Sequence, residues 1–86
     1  MYVYLIRSEK DPDRKYIGLT EDFERRMAEH NQGISTSTYK FRPWQCEVRM
    51  WFDDPDKAKA FESYLKTRSG RAFSNRHLWS SPNDNR

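Results

Sequence analysis

Two short stretches of this 86-residue sequence, Tyr2-Val3-Tyr4 and Tyr16-Ile17-Gly18, carry side chains able to do chemistry at a telling spacing. Eleven residues separate Tyr4 from Tyr16, and the turn-forming Asp11-Pro12-Asp13 falls among them. Two apolar strands joined by such a turn pair as an antiparallel hairpin. Side chains alternate along a strand, so Tyr2, Tyr4 and Ile6 share one face while Val3 and Leu5 share the other. On the second strand Tyr16 and Gly18 share a face. A register placing Tyr4 and Tyr16 on the same side brings two phenols together beside a glycine, which lets a group approach the backbone closely. The structural alternative is an aromatic cross-strand pair contributing ~0.2–1 kcal/mol to the sheet.

Further polar residues fall beside apolar stripes. On a helix, Arg26 and His30 are one turn apart and border the stripe of Phe23 and Met27, while Arg25 faces solvent. An arginine at that boundary destabilises the fold unless it meets an acid or an anionic ligand, or snorkels to water. Downstream, Ala58, Phe61 and Leu65 form an inner stripe with Glu62 at its edge. Glu62 is either the partner of Lys66, four residues on, or a metal ligand. No second carboxylate lies within a turn of it, which disfavours a two-metal site and leaves one ion held by one carboxylate, waters and phosphate. From Lys57 to His77 six cations (Lys57, Lys59, Lys66, Arg68, Arg71, Arg76) surround this single acid, a distribution that suits a phosphate-binding surface or a solvated helix.

The elements needed to position these groups are legible in outline. Strands are expected over 2–7, 15–19 and 46–52, the last alternating Cys46, Val48, Met50 and Phe52 against Glu47, Arg49 and Trp51. The first helix is expected to be capped by Thr20 and stopped by Gly33. Asp54-Pro55 opens a second helix running to about Arg68 and ending at Gly70, and a short helix follows from Arg71 to Leu78. Residues 34–45 read as a Ser/Thr-rich loop and residues 80–86 as a frayed tail. The order β-β-α-β-α-(α) predicts an α/β (α+β) fold, one domain over residues 1–79, with a three-stranded antiparallel sheet flanked by helices.

Composition sets bounds. Sixteen Lys and Arg against 13 Asp and Glu give a net charge of +3, mildly basic and compatible with nucleic acid. Cys46 is the only cysteine, so no intrachain disulfide forms. The longest apolar run, Tyr2 to Ile6, is too short to span a bilayer, and no leader segment is apparent, so a cytoplasmic protein without membrane association is expected.

In combination these residues resemble the GIY-YIG nuclease superfamily over 2–79, in particular its small bacterial single-domain branch. Tyr2-Val3-Tyr4 occupies the place of the Gly-Ile-Tyr element, with Tyr2 replacing its glycine, and Tyr16-Ile17-Gly18 matches the second element. Arg26, His30, Glu62 and Asn75 fall where the family carries its arginine, histidine, metal-binding glutamate and late asparagine. The resemblance implies an endonuclease of DNA repair or recombination that hydrolyses DNA phosphodiesters to 5′-phosphate and 3′-hydroxyl ends. Tyr4, Tyr16, Arg26, His30, Glu62 and Asn75 would form its catalytic set, with one Mg²⁺ or Mn²⁺ on Glu62. Arg26 would offset charge at the scissile phosphate. Tyr4 is the first choice for general base, which requires Arg26 or Lys15 to lower its pKa; Tyr16 would orient the nucleophile. His30 is the alternative base.

Backbone contacts to nucleic acid are expected from Lys15, Lys40, Arg42, Lys66, Arg68, Arg71 and Arg76. Stacking is expected from Tyr39, with Phe41 and Trp44 as further candidates. A chain of this length leaves specificity to its own loops, a homodimer or a protein partner. The same residues on a non-catalytic nucleic-acid module or a basic protein-interaction domain are the competing readings.

Overall fold

The computed structural model describes residues 1–80, so apart from Ser80 the expected tail lies outside the described residues. In chain order the elements are β1 (Tyr2–Ser8), β2 (Lys15–Thr20), α1 (Phe23–Gln32), a 3₁₀ turn (Tyr39–Phe41), β3 (Trp44–Trp51), α2 (Pro55–Leu65) and α3 (Arg68–His77). The strands form one antiparallel sheet in the order β2-β1-β3, giving the expected α+β architecture.

As the central strand, β1 buries side chains on both faces. Val3 and Leu5 join Ala58 and Leu65 in a core beneath α2, with Ile17, Leu19, Val48, Met50 and Phe61 packed around it. Tyr4 and Ile6 face the other way, into a second core with Phe23 of α1 and Trp44, flanked by Tyr16 and Met27. The sheet is thus covered on one side by α1 and the 3₁₀ turn and on the other by α2 and α3.

Three boundaries depart from expectation. Asp22, not Thr20, caps α1: its carboxylate accepts from the Arg25 amide at 3.1 Å. Thr20 closes β2, and its hydroxyl accepts from the Asp22 amide at 3.1 Å, shaping the turn into the helix. Gly33 does end α1, at φ +85°, a left-handed conformation suited to glycine. The second departure is in β3, which starts at Trp44 and does not alternate uniformly. The register shifts between Leu5 and Ile6, whose partners are Val48 and Cys46. The extra residue, Glu47, forms a β-bulge. It pairs with Arg7 at 2.5 Å, and Cys46 turns to the Tyr4 face.

The third concerns Gly70, which is not a helix stop. α2 ends at Leu65, and α3 begins at Arg68 with Thr67 as its cap, the hydroxyl accepting from the Gly70 amide at 3.1 Å. Gly70 is where α3 crosses the end of α2: a Cβ there would fall 1.8 Å from the Tyr64 carbonyl oxygen. A local pattern of helix-forming residues cannot reveal a backbone crossing.

Gly70→Ala therefore forces the two helices apart. The expected loss is about 3 kcal/mol of unfolding free energy in urea titration, the upper end of overpacking costs. A midpoint like wild type contradicts the crossing.

Candidate active site

The Tyr4 face of the sheet holds a connected polar cluster inside an aromatic shell. Tyr4 lies opposite Gly18 in the β1–β2 register, and its ring covers that glycine. A Cβ on Gly18 would fall 2.5 Å from Tyr4 Cζ and Oη. The missing side chain thus accommodates Tyr4 itself. The Tyr16 ring centroid lies 6.3 Å from that of Tyr4 and 5.2 Å from that of His30.

Tyr4 is only 1% exposed and His30 0%, so their polar atoms need partners within the protein. Tyr4 Oη and His30 Nε2 share a hydrogen bond of 2.8 Å, and His30 Nδ1 and Thr38 Oγ1 share one of 2.7 Å. Thr38 is itself 1% exposed, and its carbonyl accepts the Trp44 indole N–H at 2.8 Å. Arg26 borders this chain, with its guanidinium donating to Glu29 at 2.9 Å and to the Ser35 hydroxyl at 3.5 Å.

These surroundings oppose the lowered Tyr4 pKa that the base role was expected to require. Burial pushes the Tyr4 phenol up to about 12, against the downward pull of Arg26. Burial, followed by the Arg26 charge, pushes His30 down to about 4. At neutral pH the pair is a phenol and a neutral imidazole. Both side chains are buried, and the hydrogen bond between them couples their protonation. Lys15 does not lower the Tyr4 pKa, because it lies on the other face of β2. There its ammonium donates to Asn75 Oδ1 at 3.2 Å and sits 5.1 Å from the Trp79 ring centroid.

The two faces meet at the β2 edge. A cleft of about 500 Å³ opens there, with Ile17, Leu65 and Trp79 as its apolar lining and Lys15, Lys66, Arg71 and Asn75 among its polar lining. Tyr16 lines the same cleft and links it to the Tyr4 cluster. Glu62, from α2, makes no hydrogen bond to that cluster. Its carboxylate, 14% exposed, is paired with Lys66, and Lys66 in turn lines the cleft. Thus Tyr4, Tyr16, Arg26 and His30 are brought together directly. Glu62 and Asn75 belong to the opposite layer and approach the cluster only at this edge.

Glu62 offers hard carboxylate oxygens, the donor type that divalent Mg²⁺ and Mn²⁺ take, and they are paired with Lys66 in this structure. Among the described residues no group of three or more His, Cys, Asp or Glu could bind a metal together. One carboxylate completed by water and substrate phosphate is the arrangement these donors allow.

The remaining expected contacts divide. Tyr39, Lys40 and Arg42 surround a hollow together with Lys10 and Phe41. Arg42 folds back to the Tyr39 carbonyl at 2.7 Å. Phe41 is covered by the Arg14 guanidinium at 4.5 Å, and Trp44 is buried, so neither presents a free face for stacking. Arg68, Arg71 and Arg76 are exposed on α3. Thr38, Ser35, Glu29 and Trp79 were not singled out in the sequence. Thr38 stands in a run of similar hydroxyls, and only burial distinguishes it.

The GIY-YIG catalytic domain family matches residues 1–76, and the chain belongs to that nuclease family. It is 36% identical over 66 residues to a protein of Scheffersomyces stipitis named structure-specific endonuclease subunit SLX1, a match spanning 70% of this chain and 19% of that relative. No solved structure gives a significant match. No described helix is long and apolar enough to cross a membrane.

Two measurements check the buried chain of hydrogen bonds. Thr38→Val strands a polar imidazole atom and is expected to cost about 1–3 kcal/mol in urea unfolding, with Thr38→Ser restoring most of it. Because the folded His30 pKa lies below the unfolded value of about 6.5, the unfolded state binds the extra proton first. Stability is therefore full above pH 6.5 and falls as pH drops towards 4. His30→Gln should lack that part of the decline in thermal unfolding, and an unchanged profile refutes the assignment.

Proposed function

We propose that this chain is a metal-dependent endonuclease that hydrolyses DNA phosphodiester bonds to leave 5′-phosphate and 3′-hydroxyl ends. Family membership supports nuclease chemistry. The observation that carries the reading for this chain is the contact chain Tyr4–His30 with Arg26 beside it, joined through Tyr16 to a cationic cleft on the other face of β2. Such a cluster places a proton-handling pair and a fixed positive charge beside a surface suited to phosphate.

In this mechanism Arg26 binds a non-bridging oxygen of the scissile phosphate and offsets charge as the phosphorus becomes five-coordinate. Its interaction with Glu29 holds the guanidinium in place while leaving other N–H groups for substrate. Tyr16, on the cleft, orients the attacking water by hydrogen bond. Tyr4 accepts the water's proton as it passes its own to His30 Nε2. The Tyr4 hydroxyl and His30 Nε2 are 2.8 Å apart, so no free phenolate need form from a group whose pKa is about 12. Thr38 holds the imidazole in orientation. Glu62 would hold the divalent ion, which when bound supplies Lewis-acid stabilisation of the phosphate and of the departing 3′ oxygen. Asn75, fixed by Lys15, and the cations of α3 contact the flanking backbone.

The test is cleavage of single-stranded, duplex and branched DNA with Mg²⁺ or Mn²⁺. Arg26→Ala should lower the rate about 10²–10³-fold, the usual effect of removing one donor to a transition state. Glu62→Ala should abolish cleavage while DNA affinity in EDTA stays within about twofold of wild type, because the backbone contacts remain. Cleavage by Glu62→Ala at the wild-type rate refutes its metal role. Ligation of the products without end repair checks the 5′-phosphate and 3′-hydroxyl ends.

A further inference from the structure

The cleft at the β2 edge differs in character from the rest of the basic surface. Its three cations come from three elements, Lys15 on β2, Lys66 at the end of α2 and Arg71 on α3, and no carboxylate lines it. Glu62 pairs with Lys66, and among the described residues Arg71 has no acidic partner. Lys15 is pushed below its ordinary pKa, first by burial and then by the nearby Arg7 charge, as expected of a cation in an electropositive recess. The hollow is therefore built for an anion.

Its lining is not that of a simple phosphate site. Ile17, Leu65 and the Trp79 indole provide an apolar surface, and at about 500 Å³ the volume is that of a small-molecule pocket. Lys15 lies 5.1 Å from the centre of the Trp79 ring, so an anion on Lys15 sits beside this apolar wall. A nucleotide combines this anion with a flat apolar base. At about 500 Å³ the recess matches one nucleotide rather than a base pair with two backbones. Tyr16 lines the same recess, and its ring lies against Tyr4 and His30 on the other face of β2.

We propose that this cleft is a subsite for a single unpaired nucleotide next to the phosphodiester to be cut. The phosphate rests on Lys15, Lys66 and Arg71, and the base lies against the apolar wall of Ile17, Leu65 and the edge of Trp79, whose ring faces Lys15 and Arg7. Substrates are then nucleic acids with an unpaired nucleotide at the cut, whether single-stranded, frayed or displaced from a duplex. This rests on the nuclease reading above and specifies which DNA that site accepts.

The experiment is tryptophan fluorescence in EDTA, with Trp79→Phe as the reference that isolates the Trp79 signal. The probes are a thymidine trinucleotide, thymidine monophosphate, inorganic phosphate and a blunt hairpin duplex. The trinucleotide should quench Trp79 at concentrations at least about tenfold below those needed of the monophosphate or phosphate, and the blunt hairpin should give no Trp79-dependent signal. Arg71→Gln should weaken the trinucleotide about 5–10-fold and reduce the log–log salt slope by ~0.7, one single-strand phosphate contact. Equal quenching by the hairpin overturns the requirement for an unpaired nucleotide. Equal affinity for the monophosphate makes the cleft a free-nucleotide site, and wild-type binding by Arg71→Gln removes the phosphate seat; either result overturns the proposal.

A parallel cleavage assay with Mg²⁺ separates the two readings. Quenching by the trinucleotide without cleavage of any DNA defeats the nuclease assignment and leaves nucleotide binding intact. Equal cleavage of paired and unpaired sites without quenching defeats the subsite and leaves the nuclease.

Discussion

The hydroxyl of Tyr4 is the group around which the Tyr4 face must be arranged. Tyr4 sits in the central strand beneath a helix, so its phenol is largely withdrawn from bulk water. A buried hydroxyl without a partner is costly, and here its partner is an imidazole that is equally buried. The imidazole then needs a partner for its second nitrogen, and Thr38 supplies it from the segment after α1. One polar atom in the sheet thereby constrains the rotation of α1 and the course of the following loop. Gly18 is part of the same constraint, because any side chain there would displace the ring that carries the hydroxyl.

This arrangement separates positioning from solvent contact. Tyr4 and His30 are inside, where their pKa values move in opposite directions and both remain neutral. Arg26 and Tyr16 are partly exposed and lie between that interior pair and the outside. The hydrogen-bonded pair is shielded from bulk water, and the Arg26 charge stands at its border.

The opposite layer is organised by a second buried-charge problem. The bulge at Glu47 brings its carboxylate to Arg7, and Ser80 closes the pair, with its amide donating to Glu47 at 2.7 Å. Arg7 also lies 5.5 Å from the centre of the Trp79 ring. This tie holds the segment after α3 against the sheet and so supplies one wall of the β2-edge cleft. Gly70 acts with it, since the close crossing of α2 and α3 fixes where Arg71, Ser74 and Asn75 fall. Glu62 belongs to this layer and is tied to the cleft through its pair with Lys66.

The order of elements, the hairpin, the faces of β1 and the stripes of α1 and α2 follow from local patterning, because strand and helix periods dictate which side chains share a face. The spacing of Tyr4, Tyr16, Arg26 and His30 likewise places them on facing surfaces of adjacent elements. Other features depended on contacts between residues distant in sequence. The cap at Asp22 and the bulge at Glu47 depend on backbone geometry and on Arg7, and the helix break before Gly70 depends on a crossing. Thr38 is one hydroxyl among several until burial selects it. The Tyr4 pKa moved opposite to what a phenol near a cation suggests, because desolvation outweighed the charge of Arg26, whereas at His30 burial and the Arg26 charge act in the same direction. What residue types and periodicity determined was which groups could meet. Only tertiary packing decided which of them lose water, and that loss sets both their protonation and their partners.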